Sequence, residues 1–181
     1  MALKAKIYIF ALVASILVVL SETKKPGKVM YFTSTKVEFN RIYISEHSLD
    51  IVGNTTLDII LNLAQNYKYD PWSKTVIAMK NRKTNEYRTL LDYDVNICSL
   101  LGKGSATYIS MWIQNFLKYG NLPKTCPIMK GNYSWHDLKV DKMSLPGFLP
   151  PSEYRGNIET YFRKGKKRES VANITLLMEL K

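Results

Sequence analysis

The stretch from Asn121 to Trp135 reads NLPKTCPIMKGNYSW. It holds Cys126, one of only two cysteines, between Pro123 and Pro127, and then enters an alternating aromatic segment. Proline fixes its own φ and disfavours helical backbone at the residue before it. The stretch therefore predicts a stiff approach to a β-strand that begins near Tyr133.

The segment before this stretch predicts an amphipathic helix from Ala106 to Tyr119. Its apolar residues, Trp112 and Phe116 among them, recur at i, i+1, i+4 and i+5, which forms one apolar face. Ser105 is suited to the N-cap and Gly120 to the C′ position after the last turn.

Short segments rich in β-branched and aromatic residues make up most of the remaining chain, and turn signals such as Asp70-Pro71 separate them. We expect one or two strands in 28–45, and further strands at 57–63, 75–79, 86–95, 133–140, 154–162 and 171–180. About seven or eight short strands with one inserted helix predict a mainly β protein, built as a β-sandwich or cup.

The N-terminus has the layout of a secretory signal peptide. Lys4 and Lys6 precede an apolar run over residues 7–20, and a polar segment follows. Val19 and Ser21 are small enough for a signal peptidase, which predicts residues 1–21 as the signal and 22–181 as one mature domain. A membrane anchor is the alternative, although the run is shorter than the ~20 residues that a spanning helix needs. We therefore expect a secreted, extracellular protein.

Secretion would expose Cys98 and Cys126 to oxidising conditions. One disulfide between them is the simplest outcome, with two buried free thiols as the alternative. The disulfide would join both ends of the helical segment to the sheet, and it should stabilise the fold by about 3–4 kcal/mol in the chain-entropy model.

His47 and His136 do not stand at ligand spacing from a cysteine, so we expect no metal site and no cofactor.

Three asparagines fit the acceptor pattern for glycosylation: Asn54, Asn132 and Asn173. Alternate residues of a strand point to opposite faces. This parity separates each asparagine from the apolar residues beside it, so we expect all three on polar faces.

The chain carries 26 lysine and arginine residues against 15 acidic residues. Part of the surplus lies in one basic run, made of Arg163, Lys164, Lys166, Lys167 and Arg168. Secretion argues against nucleic acid as a partner. Three interpretations remain: a solvated hairpin tip, a patch for anionic lipid head groups or sulfated glycans, or a protease processing site.

An ordered set of short motifs lies between Val76 and Leu180. In chain order the set is Asp94-Val95-Asn96-Ile97-Cys98, the helix, Asn121-Leu122-Pro123, Cys126-Pro127, Gly131-Asn132-Tyr133, Leu145-Pro146 and Tyr154-Arg155. It resembles a large insect family of small secreted proteins, mostly of unknown function. Members include the chemosensory CheB-type proteins of flies, which are similar to the ganglioside activator protein and other ML-type lipid-recognition domains. The resemblance implies an immunoglobulin-like β-cup with an apolar cavity between two sheets, although ML-type domains commonly carry several disulfides and this chain has cysteines for one.

Together with secretion and the alternating strands, the resemblance predicts a monomeric carrier or sensor of an apolar or lipid-like ligand, with chemosensation as one setting. The candidate cavity residues are Leu57, Ile59, Leu61, Leu63, Tyr87, Leu91, Tyr93, Trp112, Phe116, Tyr133, Trp135, Ile174, Leu176 and Met178, of which Trp112 and Phe116 would close the mouth. For each of them a filled core is the alternative. A second hypothesis is a protein-interaction module with a solid core, which binds a receptor, a matrix partner or an anionic membrane surface through its loops and the basic run.

We expect no enzymatic activity. The segment Gly102-Lys103-Gly104-Ser105 lacks the full spacing of a phosphate-binding loop, and the chain has no G-x-S-x-G elbow. Asp92 and Asp94 share strand parity, but a solvated strand end is the simpler interpretation of this pair.

Overall fold

A computed structural model describes residues 27–101, 108–141, 145 and 147–181. The predicted signal peptide and the predicted N-cap Ser105 lie outside the described residues. In chain order the elements are β1 (Met30–Phe39), β2 (Ile44–Val52), β3 (Thr56–Leu63), β4 (Pro71–Lys80), β5 (Tyr87–Asn96), α1 (Ile97–Leu100), α2 (Tyr108–Lys118), β6 (Gly131–Leu138), β7 (Ser152–Lys164) and β8 (Lys167–Leu180). Within the described ranges, neither helix is long and apolar enough to span a bilayer.

The strands form two antiparallel sheets. Sheet A has the order β1-β8-β7-β4-β5, and sheet B has the order β2-β3-β6. Leu57 of sheet B belongs to the same buried cluster as Tyr154 and Met178 of sheet A. Leu63 of sheet B likewise shares a cluster with Phe162 of sheet A. The sheets therefore pack face to face as a sandwich, which confirms the predicted mainly β fold.

The longest hairpin joins β7 and β8. Its last strand pair is Lys164 and Lys167, and Gly165 in the turn has a φ of +60°, a conformation that glycine adopts without strain. The predicted basic run therefore forms the tip of a hairpin.

A β-bulge interrupts the alternation of β5. Leu91 pairs with Ile77 and Thr89 pairs with Ala78, so Leu90 is an extra residue on β5. Leu90 and Leu91 both pack against the core although they are neighbours in sequence. Residues 87–89 of β5 therefore face the sides of the sheet opposite to those that a strict alternation from Leu91 would give them.

The structure contains a strand, β2, most of which lies after the range 28–45 where one or two strands were expected. β2 lies at the edge of sheet B and pairs with β3 alone. Its inward positions are His47, Leu49 and Ile51, and polar residues such as Glu46 and Asp50 alternate with them. A polar edge strand of this kind has too few apolar residues to be distinguished from a loop.

β4 begins at Pro71, where a turn was predicted. Proline is tolerated as the first residue of a strand, and Pro71 is fully buried there. Trp72 therefore belongs to the strand.

Gly120 is the predicted C′ residue of the helix, a position where glycine commonly takes a left-handed conformation. α2 does end at Lys118, two residues earlier, but the φ of Gly120 lies outside the left-handed range. Gly120 instead forms an isolated β-bridge with Trp135, and a Cβ at Gly120 would lie 2.3 Å from Nε1 of that indole. The close approach of Trp135 is the reason why glycine is needed.

Candidate functional site

Each end of the sandwich is closed by a cluster of buried side chains. At one end Tyr43, Tyr67 and Phe162 form edge-to-face aromatic contacts, with ring centroids 4.9 to 6.3 Å apart. At the opposite end Phe32 and Tyr154 belong to a second buried cluster. We refer to these clusters as the sealed ends.

Between the sealed ends, several of the inward-facing apolar side chains are only half-buried. Ile59 and Leu61 of β3 and Ile158 and Ile174 of β7 and β8 illustrate this, because their parity directs them inward and yet they retain partial exposure. All three strands have a neighbour on each side, so a sheet edge does not account for this exposure. A close-packed interior would cover these residues as completely as the residues of the sealed ends. We call this region between the sheets the central zone.

Helix α2 lies along one open side of the sandwich, between the edge strands β5 and β6. Trp112 contacts Tyr93 of β5, with ring centroids 6.3 Å apart. One turn later, Phe116 stacks on Trp135 of β6 with a centroid distance of 4.5 Å. Asn115 donates a hydrogen bond from Nδ2 to the carbonyl oxygen of Lys139, which fixes the helix to the chain after β6. The helix therefore forms a wall beside the central zone.

The candidate cavity residues divide into three groups. Fully buried are Leu57, Leu63, Tyr133, Trp135 and Met178. Half-buried are Ile59, Leu61, Leu91, Tyr93, Ile174 and Leu176 on the strands and Trp112 and Phe116 on α2. Tyr87 alone lies on the outer face of sheet A, where its ring is 4.5 Å from the guanidinium of Arg155. The bulge at Leu90 gives Tyr87 this outward direction, and a strict alternation from Leu91 does not anticipate it.

Four inward-facing hydroxyl groups in the central zone were missed by sequence reasoning. They belong to Ser73 and Thr75 of β4, Tyr93 of β5 and Thr160 of β7. Thr160 pairs with Ser73, and Tyr93 pairs with Thr75, so the four form one patch that we call the hydroxyl cluster. A sequence signal was present, because Ser73, Thr75 and Ile77 alternate with Lys74 and Val76.

Burial raises the pKa of Tyr93 to about 12, and a hydrogen bond with Thr75 lowers it by less. The phenol is therefore neutral at any physiological pH. The hydroxyl cluster thus offers uncharged donors and acceptors to whatever lies between the sheets.

The predicted disulfide is present. Cys98 in α1 bonds to Cys126 in the loop after α2, with the two Cα atoms 5.7 Å apart. The bond ties both ends of the helical segment to one end of sheet A, as predicted. A cleft of about 260 Å³ lies beside it, next to Tyr67 and Pro71, and a second cleft of about 440 Å³ lies at the other end of the sheet beside Arg82.

The three sequon asparagines, Asn54, Asn132 and Asn173, are exposed. Asn132 and Asn173 lie on strands, as expected. Asn54 lies in the tight turn between β2 and β3 with a φ of +62°, and not on the polar face of a strand. Glycosylation of all three stays a prediction.

Two arginines of the basic run are held by one carboxylate, that of Asp94. Asp94 accepts hydrogen bonds from the Tyr161 hydroxyl at 2.6 Å, from Nη2 of Arg163 at 3.1 Å and from Nη2 of Arg168 at 3.0 Å. The Arg163 guanidinium also lies 3.4 Å from the ring centroid of Trp72. The interpretation of Asp94 as part of a solvated strand end is therefore wrong, because its side chain is 20% exposed and has three donors.

Two opposing influences act on the Asp94 carboxyl. Burial raises its pKa, but the hydrogen bond from Tyr161 and the charges of Arg163 and Arg168 outweigh burial, so the net pKa lies below the ordinary value. Asp94 is consequently ionised at neutral pH and neutralises part of the basic run. At the tip, Lys166 and Lys167 are exposed and form no ion pair with a described residue.

The described residues contain no group of three or more histidine, cysteine, aspartate or glutamate side chains that could hold a metal ion. No curated protein matches the chain. Residues 74–156 match the model of one family, whose description is "Protein of unknown function (DUF1091)". The matched segment begins in β4 and ends in β7, and it therefore includes α2, both cysteines and two residues of the hydroxyl cluster, Thr75 and Tyr93.

Proposed function

We propose that this protein is a secreted carrier of an apolar, lipid-like ligand that lies in the central zone between the two sheets. The observation that carries the proposal is the contrast in burial along the inner faces. The residues of the sealed ends are buried, whereas Ile59, Leu61, Ile158 and Ile174 keep partial exposure although they face inward on interior strands.

The energetics of such a site are adequate for a carrier. Each methylene that leaves water contributes about 0.8 kcal/mol, so a chain of about twelve carbons contributes about 10 kcal/mol. Association costs of about 4 kcal/mol or more leave about 6 kcal/mol, which corresponds to a Kd of tens of micromolar. This affinity is useful for a protein that must also release its ligand.

Three further features support the proposal. The predicted signal peptide and the disulfide suit an extracellular protein. The aromatic face of α2 lies beside the central zone, where Trp112 and Phe116 could control access. The resemblance to the insect secreted family favours a lipid-like cue as cargo and chemosensation as the setting.

The test is native mass spectrometry of the secreted, deglycosylated protein from insect cells, followed by solvent extraction and identification of the lipid. We expect a stoichiometric apolar adduct on the wild-type protein. Leu61→Asp should lose the adduct, because it places a charge on the inner face of β3. Ile60→Asp is the matched control, because Ile60 is the next residue on the same strand and is 46% exposed on the outer face.

Leu61→Trp provides a second variant in case the aspartate prevents folding, since it fills the space and adds no charge. Circular dichroism establishes that each variant is folded. A protein that carries no adduct and takes up neither a fluorescent fatty acid nor an uncharged apolar dye at tens of micromolar would contradict the carrier function.

In that event the second candidate, a protein-interaction module, would replace it. The observation in its favour is the ordered base of the β7–β8 hairpin, where Arg163 and Arg168 are held on Asp94 below the exposed Lys166 and Lys167. Such a tip suits an acidic receptor, a matrix partner or an anionic membrane surface.

A further inference from the structure

The hydroxyl cluster lies in an apolar interior, and its hydrogen bonding is incomplete. Ser73 is 9% exposed and Thr75 is 6% exposed, and both face the central zone. Their hydroxyl oxygens are 3.4 Å apart, which is longer than an ordinary O–H···O hydrogen bond. Thr75 also shares a hydrogen bond with the Tyr93 hydroxyl, whereas the half-buried Thr160 hydroxyl forms none with any described residue. Hydroxyls that are shielded from water nearly always have good partners, so Ser73 and Thr160 call for a further partner.

The inward-facing positions around the hydroxyl cluster provide no charged side chain that could form an ion pair with a ligand. In the described strands, the inward-facing positions between the sealed ends carry no lysine, arginine, aspartate or glutamate. His47 is the one basic side chain there, and it lies against the Phe39 ring at the β1–β2 side. Phe39 is in register with Thr160 at two strand spacings of sheet A, about 10 Å, and with Ser73 at three spacings, about 14 Å.

We propose that the hydroxyl cluster is a recognition subsite for the uncharged polar head of the ligand, and that the preferred ligand is a long-chain alcohol, ester or related neutral lipid rather than a fatty-acid anion. This inference rests on the proposed carrier function. Ser73, Thr75 and Thr160 can each donate one hydrogen bond and accept others, which matches a hydroxyl or an ester carbonyl. A carboxylate would lose its hydration in the same place without gaining a cation, which disfavours its charged form.

The test measures displacement of Nile red, an uncharged apolar dye, at neutral pH. The three competitors have the same chain length and are a straight-chain alcohol, a fatty-acid methyl ester and a fatty-acid anion. We expect the wild-type protein to bind the alcohol and the ester more tightly than the anion. Thr75→Val keeps the shape of the side chain and removes the hydroxyl, so it should weaken alcohol binding about tenfold relative to any change in the affinity for Nile red.

Two further variants complete the experiment. Ser73→Ala removes the adjacent hydroxyl and should act in the same direction, which keeps the test valid if Thr75→Val does not fold. Thr89→Val makes the same chemical change at an exposed position of β5 and should leave all affinities unchanged.

The results separate the subsite from the carrier function. If alcohol binding is unaffected by both variants, or if the anion binds most tightly, the subsite is refuted while the carrier function stands. If neither Nile red nor any of the lipids binds to the wild-type protein, both proposals fail together.

Discussion

The contact between Gly120 and Trp135 permits a quantitative test of the packing between α2 and sheet B. An alanine Cβ at position 120 would lie 2.3, 2.4 and 2.7 Å from three atoms of the Trp135 indole. Carbon atoms pack at about 3.5–4.0 Å, so the indole would have to retreat by about 1 Å or more. Trp135 is 2% exposed and is stacked on Phe116, which leaves it no free space for this movement.

The backbone at position 120 is not free to move either. The amide of Asn121 donates to the carbonyl of Ser134 at 3.2 Å, and the amide of His136 donates to the carbonyl of Tyr119 at 3.3 Å. We therefore expect Gly120→Ala to lower the free energy of unfolding by about 3 kcal/mol, the upper part of the range for overpacked cores. For a chain of this size the melting temperature should fall by about 10 °C.

The assay is urea unfolding followed by circular dichroism. Gly147→Ala is the matched control, because no heavy atom lies within 4 Å of its added Cβ, and it should change stability by less than about 0.5 kcal/mol. In a Trp135→Leu background, Gly120→Ala should cost less than about 1 kcal/mol, since the clashing indole is gone. A loss below about 1 kcal/mol for Gly120→Ala in the wild-type background would refute the close-contact argument.

Two further predictions concern the disulfide and the half-buried carboxylate of Asp94. The double variant Cys98→Ala/Cys126→Ala should lower the free energy of unfolding by about 3–4 kcal/mol in urea titrations, because the bond closes a loop with a sequence separation of 28, and a loss below about 1 kcal/mol would contradict this account. Asp94→Asn should cost about 1–2 kcal/mol at neutral pH, because it weakens charge-assisted hydrogen bonds. The pKa of Asp94 is lowered in the folded state, so its contribution to the free energy of unfolding is present above an ordinary aspartate pKa of about 4. This contribution is lost as pH falls through the folded-state pKa. The wild-type protein and Asp94→Asn should therefore have equal stability in acid. Asp92→Asn, which loses only a surface contact with Lys74, should cost less than about 1 kcal/mol, and an equal cost for both aspartates at every pH would count against the buried network.

The parts of the fold that depend on local pattern were predictable from the sequence. Alternation of apolar residues identified β3 and β8, and the helical period identified α2, because these periods follow directly from backbone geometry. Two cysteines on either side of the helix left one pairing, and the structure confirms it.

The parts that the sequence did not reveal depend on contacts between distant segments. The bulge at Leu90 results from the register of β5 against β4, and it turns Tyr87 outward. The role of Asp94 depends on Tyr161 and Arg168, which are more than sixty residues away along the chain. No local pattern carries this information.

A β-sandwich with an inserted helix and one disulfide was predictable from the amino-acid pattern, because strand alternation and helical period are properties of neighbouring residues and two cysteines allow one pairing. Which inward residues are sealed and which remain half-buried was not predictable in this way, since that depends on how closely the two sheets approach each other. The pairing of β4 with β7 likewise brings Ser73 and Thr75 beside Thr160, which is distant in sequence. Gly120 illustrates the difference most directly, because its position after a helix is local while the indole that requires it comes from another strand.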